Sequence, residues 1–569
     1  MTMSTTPQGP QQWPPTSPTP RRQPGPVPSV APDPGSPKAR LIALVVLIVF
    51  FGLTFYFQQK QHSAPLPAPG INPGHVDPPG ADPTTLVSKL AVKFSHAGFG
   101  AGSGQQLMPQ IDEGARTPAE KIRAATVAGD LLGPEEAIDR LKAIASEHGL
   151  DESLVTGAVL EAPSESPAAQ PEADVPPETD VQAESPQDAT SPPTGQTTAT
   201  DGVVEDAPQD PGISPLLVED LQTLGAIYRG QESAVSDQQR EGLIERHEWF
   251  ARLALTQSLD ESDPARQEVI GGGGVLLAFT LLIGLGFLVA FVTGLGLLIY
   301  FLIRIFSRKV NWRMDPPVPG GSVYLETAAV FVLVFVVFKL GMEFLLASPP
   351  PAPGTPVQPL SGPQMALRIS AQWLLLLPVL WPLVRGVSFE EMRRAIGLHG
   401  GRGVLREMGA GIVAYFAGIP ILFGTVLATF ILMIIWEAIK SAMGQPPSPP
   451  PENPIIDVIG GSDPWVVVSF VVLATLWAPI VEETIFRGCL YRHARSRVGP
   501  IIAGIVTAIV FGGMHGYAGP LLLPVTSLGF IFAMMREWRG SLVAPMTAHF
   551  LHNATVTAIL LVFLSALGP

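Results

Sequence analysis

Apolar and polar positions give this chain three textures. From residue 275 onwards apolar residues run in long blocks, near 275–303, 323–347, 369–384, 409–436, 465–482, 499–515, 520–535 and 543–567. An earlier block, Leu41–Phe57, follows Lys38 and Arg40. About 20 apolar residues cross the hydrocarbon core of a bilayer, so these blocks predict nine membrane-spanning helices. Leu41–Phe57 is at the short end. It reads as a signal anchor, because its leader is long and no clear small-residue cleavage site accompanies it. Between the anchor and residue 270 the pattern changes. In Pro134–Ile144 apolar residues recur every three and four positions, the period of a helix with one buried face.

The remaining stretches have no apolar period. Residues 1–40 form a Pro-rich tail, 58–83 a Pro/Gly linker and 161–212 an acidic tract without Lys or Arg. Such segments cannot bury enough apolar surface to fold and are expected to be disordered. The predicted architecture is all-α: a polytopic membrane helical bundle of about nine spans, with a small helical domain split between 84–160 and 213–270. Within the bundle, 271–464 supply accessory spans and 465–567 a candidate catalytic core.

Loop charge orients this array. Arg304, Arg308, Lys309 and Arg313 follow the second span, and Arg385, Arg393, Arg394, Arg402 and Arg406 the fourth. Arg487, Arg492, Arg495 and Arg497 follow the sixth, and Arg536 and Arg539 the eighth. The alternate loops 348–362 and 441–463 hold no Lys or Arg. By the positive-inside rule the amino terminus is cytoplasmic and residues 58–270 are extracytoplasmic.

Composition agrees with a membrane protein: 46% of the 569 residues are hydrophobic, only 15% are charged, and mean hydropathy is +0.31. The net charge of -14 owes much to the acidic tract, and no basic footprint for nucleic acid is present. One cysteine, Cys489, excludes an intramolecular disulfide and a cysteine zinc cluster. Arg246-His247-Glu248-Trp249-Phe250-Ala251 begins like a zinc-protease motif, but Ala251 stands where the second histidine belongs, so an ordinary amphipathic helix is expected.

The chemistry gathers in the last four spans. Glu482, Glu483 and Arg487 stand at the end of an apolar block, where each charge costs roughly 2.5–3.5 kcal/mol on insertion scales. Glu483 and Arg487 are four apart and pair on one helix face. Glu482 lies about 100° round the helix and lacks that partner. The simplest division makes Glu483–Arg487 a structural ion pair and Glu482 the working carboxylate. His515 follows Phe511-Gly512-Gly513-Met514, and a histidine beside a free glutamate is suited to share a water and move its proton. His549 and Asn553 share a helix face, and both can donate to a developing oxyanion. His552 is less well matched. Phe389-Glu390-Glu391-Met392-Arg393-Arg394 also pairs glutamates, but Ala395 stands where the arginine would, and an interfacial helix is expected there.

Glu482-Glu483-x-x-x-Arg487, Phe511-x-x-x-His515 and His549-x-x-x-Asn553, in that order on successive spans, resemble the CPBP family of intramembrane proteases, which includes CAAX-prenyl-protease and bacteriocin-processing (Rce1/Abi-type) members. The likeness covers about 465–567, with a weaker likeness back to about 385. It implies a glutamate-dependent endopeptidase in which Glu482 and His515 activate water, His549 and Asn553 form an oxyanion hole, and Glu483 with Arg487 support the site. It explains nothing in 58–270, which the linkers suit to an extracytoplasmic protein partner. The expected partners of the core are membrane lipid and a membrane-associated peptide or protein substrate. No cofactor is expected. Zinc held by Glu482, His515 and His549 is the competing version, disfavoured because Asn553 is a poor ligand and a good oxyanion donor. A proton-relay transporter and a non-catalytic scaffold are the alternatives from other classes.

One tension concerns depth. Sixteen residues from Gly499 lift His515 by roughly 24 Å, above a shallow Glu482. The two meet only if the sixth helix continues to about Arg492 and the seventh starts below the membrane surface.

Overall fold

The computed structural model describes residues 32–63, 84–98, 102, 104–157, 215–345, 361–445, 464–517 and 519–567. Most of the expected tail and linker residues, and the acidic tract, lie outside these. Among the described residues there are helices and no strands. Eight helices are long and apolar enough to cross a membrane, and Pro500–Gly513 is a shorter apolar one. The protein is a multi-pass membrane protein with an all-α fold.

We number the apolar helices α1 (Pro37–Ser63), α2 (Gly273–Phe306), α3 (Val323–Leu345), α4 (Gly362–Val384), α5 (Val404–Ala442), α6 (Pro464–Arg495), α7 (Pro500–Gly513), α8 (Leu522–Arg539) and α9 (Val543–Leu567). α1 begins four residues before the expected anchor, because Pro37 suits a first helical position and the Ser36 hydroxyl accepts the Ala39 N–H at 3.1 Å. The preceding residues are also ordered, against the expectation of a tail to residue 40. Asp33 pairs with Arg492 at 2.6 Å, and the Pro34 carbonyl accepts the N–H groups of Ser322 and Val323. α4 is irregular. Gln372–Leu380 is wound as a 3-10 helix containing Pro378, which has no N–H to give.

Contacts at the two ends fix which helix termini share a face of the bundle. At one end Glu537 on α8 accepts from Tyr491 at 2.9 Å and from Arg495, while its carbonyl takes the N–H groups of Arg313 and Met314. Arg539 binds Glu407 there in bidentate fashion, at 2.6 and 2.7 Å. At the opposite end Lys93 donates to the Gly271 carbonyl at 2.7 Å, and Gly272 meets the Ala566 carbonyl near the end of α9. The soluble helices therefore sit on the face where α2 starts and α9 finishes.

Those soluble helices form one body despite the acidic tract between them. One apolar cluster joins Ile122, Leu141, Ile144 and Val155 with Leu221, Leu224, Ile227 and Leu243. Tyr228 spans the two segments and donates to the Thr126 carbonyl at 3.2 Å. The Arg246–Ala251 stretch is not the single amphipathic helix expected. Asp237–His247 ends at Glu248, whose φ is 45°, and a new helix starts at Trp249. His247 is buried and bonds to Asp220 at 3.0 Å, which turns it inward. The Phe389–Ile396 helix is the expected amphipathic element: Met392 and Ile396 are buried, and Glu390 pairs with Arg394 on the open face.

Candidate active site

α6 is apolar at its start and fully buried from Glu483 to Tyr491. It is not a uniform α-helix. Two π-helical stretches, Leu473–Trp477 and Glu483–Leu490, flank the short α-helical Ala478–Glu482. Pro479 explains one consequence. In the wider π pattern an N–H bonds the carbonyl five residues back, which for residue 479 is Ala474. Proline has no N–H, so that half-buried carbonyl in an apolar span needs another donor. Asn553 on α9 supplies it, its side-chain amide lying 2.7 Å from the Ala474 oxygen.

Glu483 is completely buried. Its Oε1 accepts from Arg487 at 2.9 Å and from the His549 Nδ1 at 2.9 Å. Arg487, 1% exposed, also donates to the Gly529 carbonyl on α8 at 3.1 Å. Its guanidinium lies 4.1 Å from the Phe511 ring centre and 5.3 Å from that of Phe532. Cation–π attraction of this kind strengthens when water is absent. The pair is thus one member of a buried assembly joining α6, α7, α8 and α9. These contacts offset the cost of a charge pair in lipid, although Glu483 Oε2 has no partner among the described residues.

Glu482 differs. Its Oε2 is buried and has no hydrogen-bond partner among the described residues. It lies 3.9 Å from His515 Nε2 and 3.9 Å from His549 Nε2. Both imidazoles are oriented from their far side. His515 Nδ1 bonds the Phe511 carbonyl at 2.8 Å, and a carbonyl only accepts, so Nδ1 carries the hydrogen. His549 Nδ1 is held by Glu483. The tension in depth disappears because α6 extends to Arg495. Glu482 is thirteen residues above that end, roughly 20 Å, and the 14 residues of α7 rise by roughly 21 Å.

The structure brings Glu482, Glu483, Arg487, His515 and His549 together, with Asn553 bonded to the backbone about two turns above Glu482. His552 turns away, towards the Tyr415 hydroxyl at 3.4 Å. Sequence reasoning missed Phe532, Gly529 and Gln372. Phe532 stacks on His549 with ring centres 5.2 Å apart, and the Gln372 carbonyl accepts from the Trp477 indole at 2.9 Å. None of the three has a spacing signal to the motif residues, since Gly529 and Phe532 lie on α8 and Gln372 on α4.

A cavity of about 210 Å³ opens beside Glu482 and His515, walled mainly by aromatic and aliphatic side chains of α3, α4, α6 and the end of α7. Among the described residues no three His, Cys, Asp or Glu side chains converge as a metal-ligand set. Tetrahedral zinc with ligands near 2.0–2.1 Å requires donors about 3.3 Å apart, and the 3.9 Å separations here are wider.

Residues 464–555 match the family model described as type II CAAX prenyl endopeptidase, Rce1-like. This stretch of the chain is Rce1-like. It runs from the start of α6 into α9 and contains Glu482, Glu483, Arg487, His515, His549 and Asn553. The chain also resembles two proteins of Bacillus subtilis (strain 168). "Uncharacterized protein YpbD" is 35% identical over 91 residues, 15% of this chain and 43% of that protein. "Putative membrane peptidase YdiL" is 31% identical over 102 residues, 18% of this chain and 39% of that protein. The chain therefore spans less than half the length of these relatives. No solved structure matches it.

Proposed function

We propose that the protein is an intramembrane endopeptidase that hydrolyses peptide bonds of membrane-associated substrates. One observation carries the proposal: the buried Glu482 Oε2 is unpaired between two oriented imidazole nitrogens, at the floor of a cavity. The likeness to Rce1-like peptidases supports the same reaction class. Polar atoms 3.9 Å apart do not bond directly, and water is the natural third member. In the proposed step a water donates one hydrogen to Glu482 and the other to His515 Nε2. Its free lone pair attacks the scissile carbonyl while Glu482 takes the proton. His549, its ring oriented by Glu483, donates from Nε2 to the developing oxyanion, with the second amide hydrogen of Asn553 as a further donor. Glu482 then returns its proton to the leaving amine. Glu483 and Arg487 fix His549 and the α6–α8 packing.

The reaction needs no metal in this reading, and the donor spacing disfavours zinc. The amino terminus is cytoplasmic and residues 58–270 extracytoplasmic, as the loop charges argue. The test compares cells carrying wild-type protein and Glu482→Gln by membrane proteomics. Peptides that accumulate uncut only with the variant support a protease, and identical profiles count against it. Stoichiometric zinc in the purified protein, lost together with activity on chelation, would replace the metal-free route.

A further inference from the structure

The cavity is asymmetric about Glu482. Along α6 its lining reaches Phe486 on one side, four residues from Glu482, and Phe470 on the other, twelve residues away. At 1.5 Å per residue these are roughly 6 Å and 18 Å. The short arm is a dead end: every residue from Glu483 to Tyr491 is buried, and beyond it Tyr491, Arg495 and Arg492 are tied to Glu537 and Asp33. The long arm points to Pro464. On this side His515, which lines the cavity, keeps 30% of its side chain accessible. Pro464 belongs to the face on which the helical body of 84–270 sits, since α6 runs antiparallel to α5 and parallel to α4 and descends to the face of Arg495.

Hydrolysis requires both water and peptide at Glu482, so the open arm must admit them. Resting on the protease reading, we propose that the substrate is a peptide segment reaching Glu482 from the membrane face that bears the 84–270 domain, with a bulky apolar side chain beside the scissile bond seated in this cavity. Phe331, Phe335, Phe470, Leu473, Trp477 and Met514 form the seat. An apolar cavity of about 150 Å³ holds a benzene ring. At about 210 Å³ this one takes a Leu, Met, Phe or Trp side chain, while a charged one would lose its hydration without a partner. Gln372, in the 3-10 segment of α4, is the neutral polar residue on the wall and offers an amide to the peptide backbone.

The side of access is read without any proteolysis. Leu473→Cys and, independently, Phe470→Cys are treated with a charged, membrane-impermeant maleimide in sealed vesicles of each orientation. Ser262→Cys marks the domain face and Glu390→Cys the opposite face, both positions being exposed, while the native Cys489 is fully buried. Labelling of the cavity cysteines from the Ser262→Cys side, at least tenfold faster than from the other, is the expected result. Labelling from the Glu390→Cys side alone, or from neither, overturns the proposal even if the protein is a protease. The second half is read from the cut peptides. Bulky apolar residues beside the cut are expected, and small or charged residues there overturn the seat while leaving the reaction intact.

Discussion

Two regions of this molecule bury carboxylates, and they treat them in opposite ways. In the soluble body Asp130 and Asp220 are almost inaccessible, and both oxygens of each are engaged. Asp130 binds Arg266 through one and His96 through the other, and Asp220 binds Arg246 and His247. In the membrane, Glu483 is tied to Arg487 and His549 through Oε1, while its Oε2, like that of Glu482, has no partner among the described residues. An unpaired polar atom in a protein interior costs roughly 1–3 kcal/mol, more if charged, so the fully engaged aspartates serve stability and the membrane pair, with two unpartnered oxygens, persists for another purpose. Within that pair, the Oε1 bonds to Arg487 and His549 separate Glu483 from an adjacent glutamate that composition treats as its equal.

It can be broken in several places. Glu483→Gln is expected to have the largest effect, because it strips a buried arginine of its counter-charge and releases His549. A loss of about 3–5 kcal/mol in stability and at least about 100-fold in cleavage should appear together, by thermal unfolding in detergent and by peptide hydrolysis. Asp130→Ala should cost the soluble body a similar 3–5 kcal/mol. It should do so without the catalytic loss, seen as rapid limited proteolysis of 84–270 while cleavage per folded molecule holds. Glu482→Gln should leave the unfolding midpoint within about 1 kcal/mol of wild type, or raise it, since active-site groups are held at the expense of stability. A drop as large as that of Glu483→Gln would erase the distinction.

The smallest effect is pH dependence in the soluble body. The bond to Asp130 holds the His96 ring above its usual 6.5, with partial desolvation opposing. That contribution is complete below 6.5 and fades as pH rises through the higher folded value. Burial depresses His247 below 6.5 despite its Asp220 partner, so the unfolded chain takes the proton first and stability falls as pH drops below 6.5. Hydrogen exchange of the domain amides between about pH 5 and 8 should show His96→Gln flattening the alkaline side and His247→Gln the acid side.

The spans were legible because apolar blocks and alternating basic loops are local patterns, and all nine apolar helices lie on the blocks read from sequence. The six candidate residues stood out in the sequence as spacings, and the Glu483–Arg487 pairing was legible as helix geometry. What sequence hid was non-local or lacked a compositional mark. A π turn changes hydrogen-bond register without changing residue type, so the bond from Asn553 to Ala474 was invisible until Pro479 and α9 were seen together. The joining of 84–157 with 215–270 depends on contacts across the acidic tract, and the docking of Asp33 on Arg492 spans most of the chain. The break at Glu248 left no signal, since Glu rarely takes positive φ.

The most direct measurement is peptide hydrolysis by purified protein in lipid vesicles, wild type against Glu482→Gln at equal folded amounts, on a substrate found by the proteomic comparison. A loss of about 10³-fold, within the range of general-base contributions, with an unchanged unfolding midpoint, is the expected result. Hydrolysis by Glu482→Gln within about threefold of wild type would contradict the assignment of Glu482 as the water-activating carboxylate.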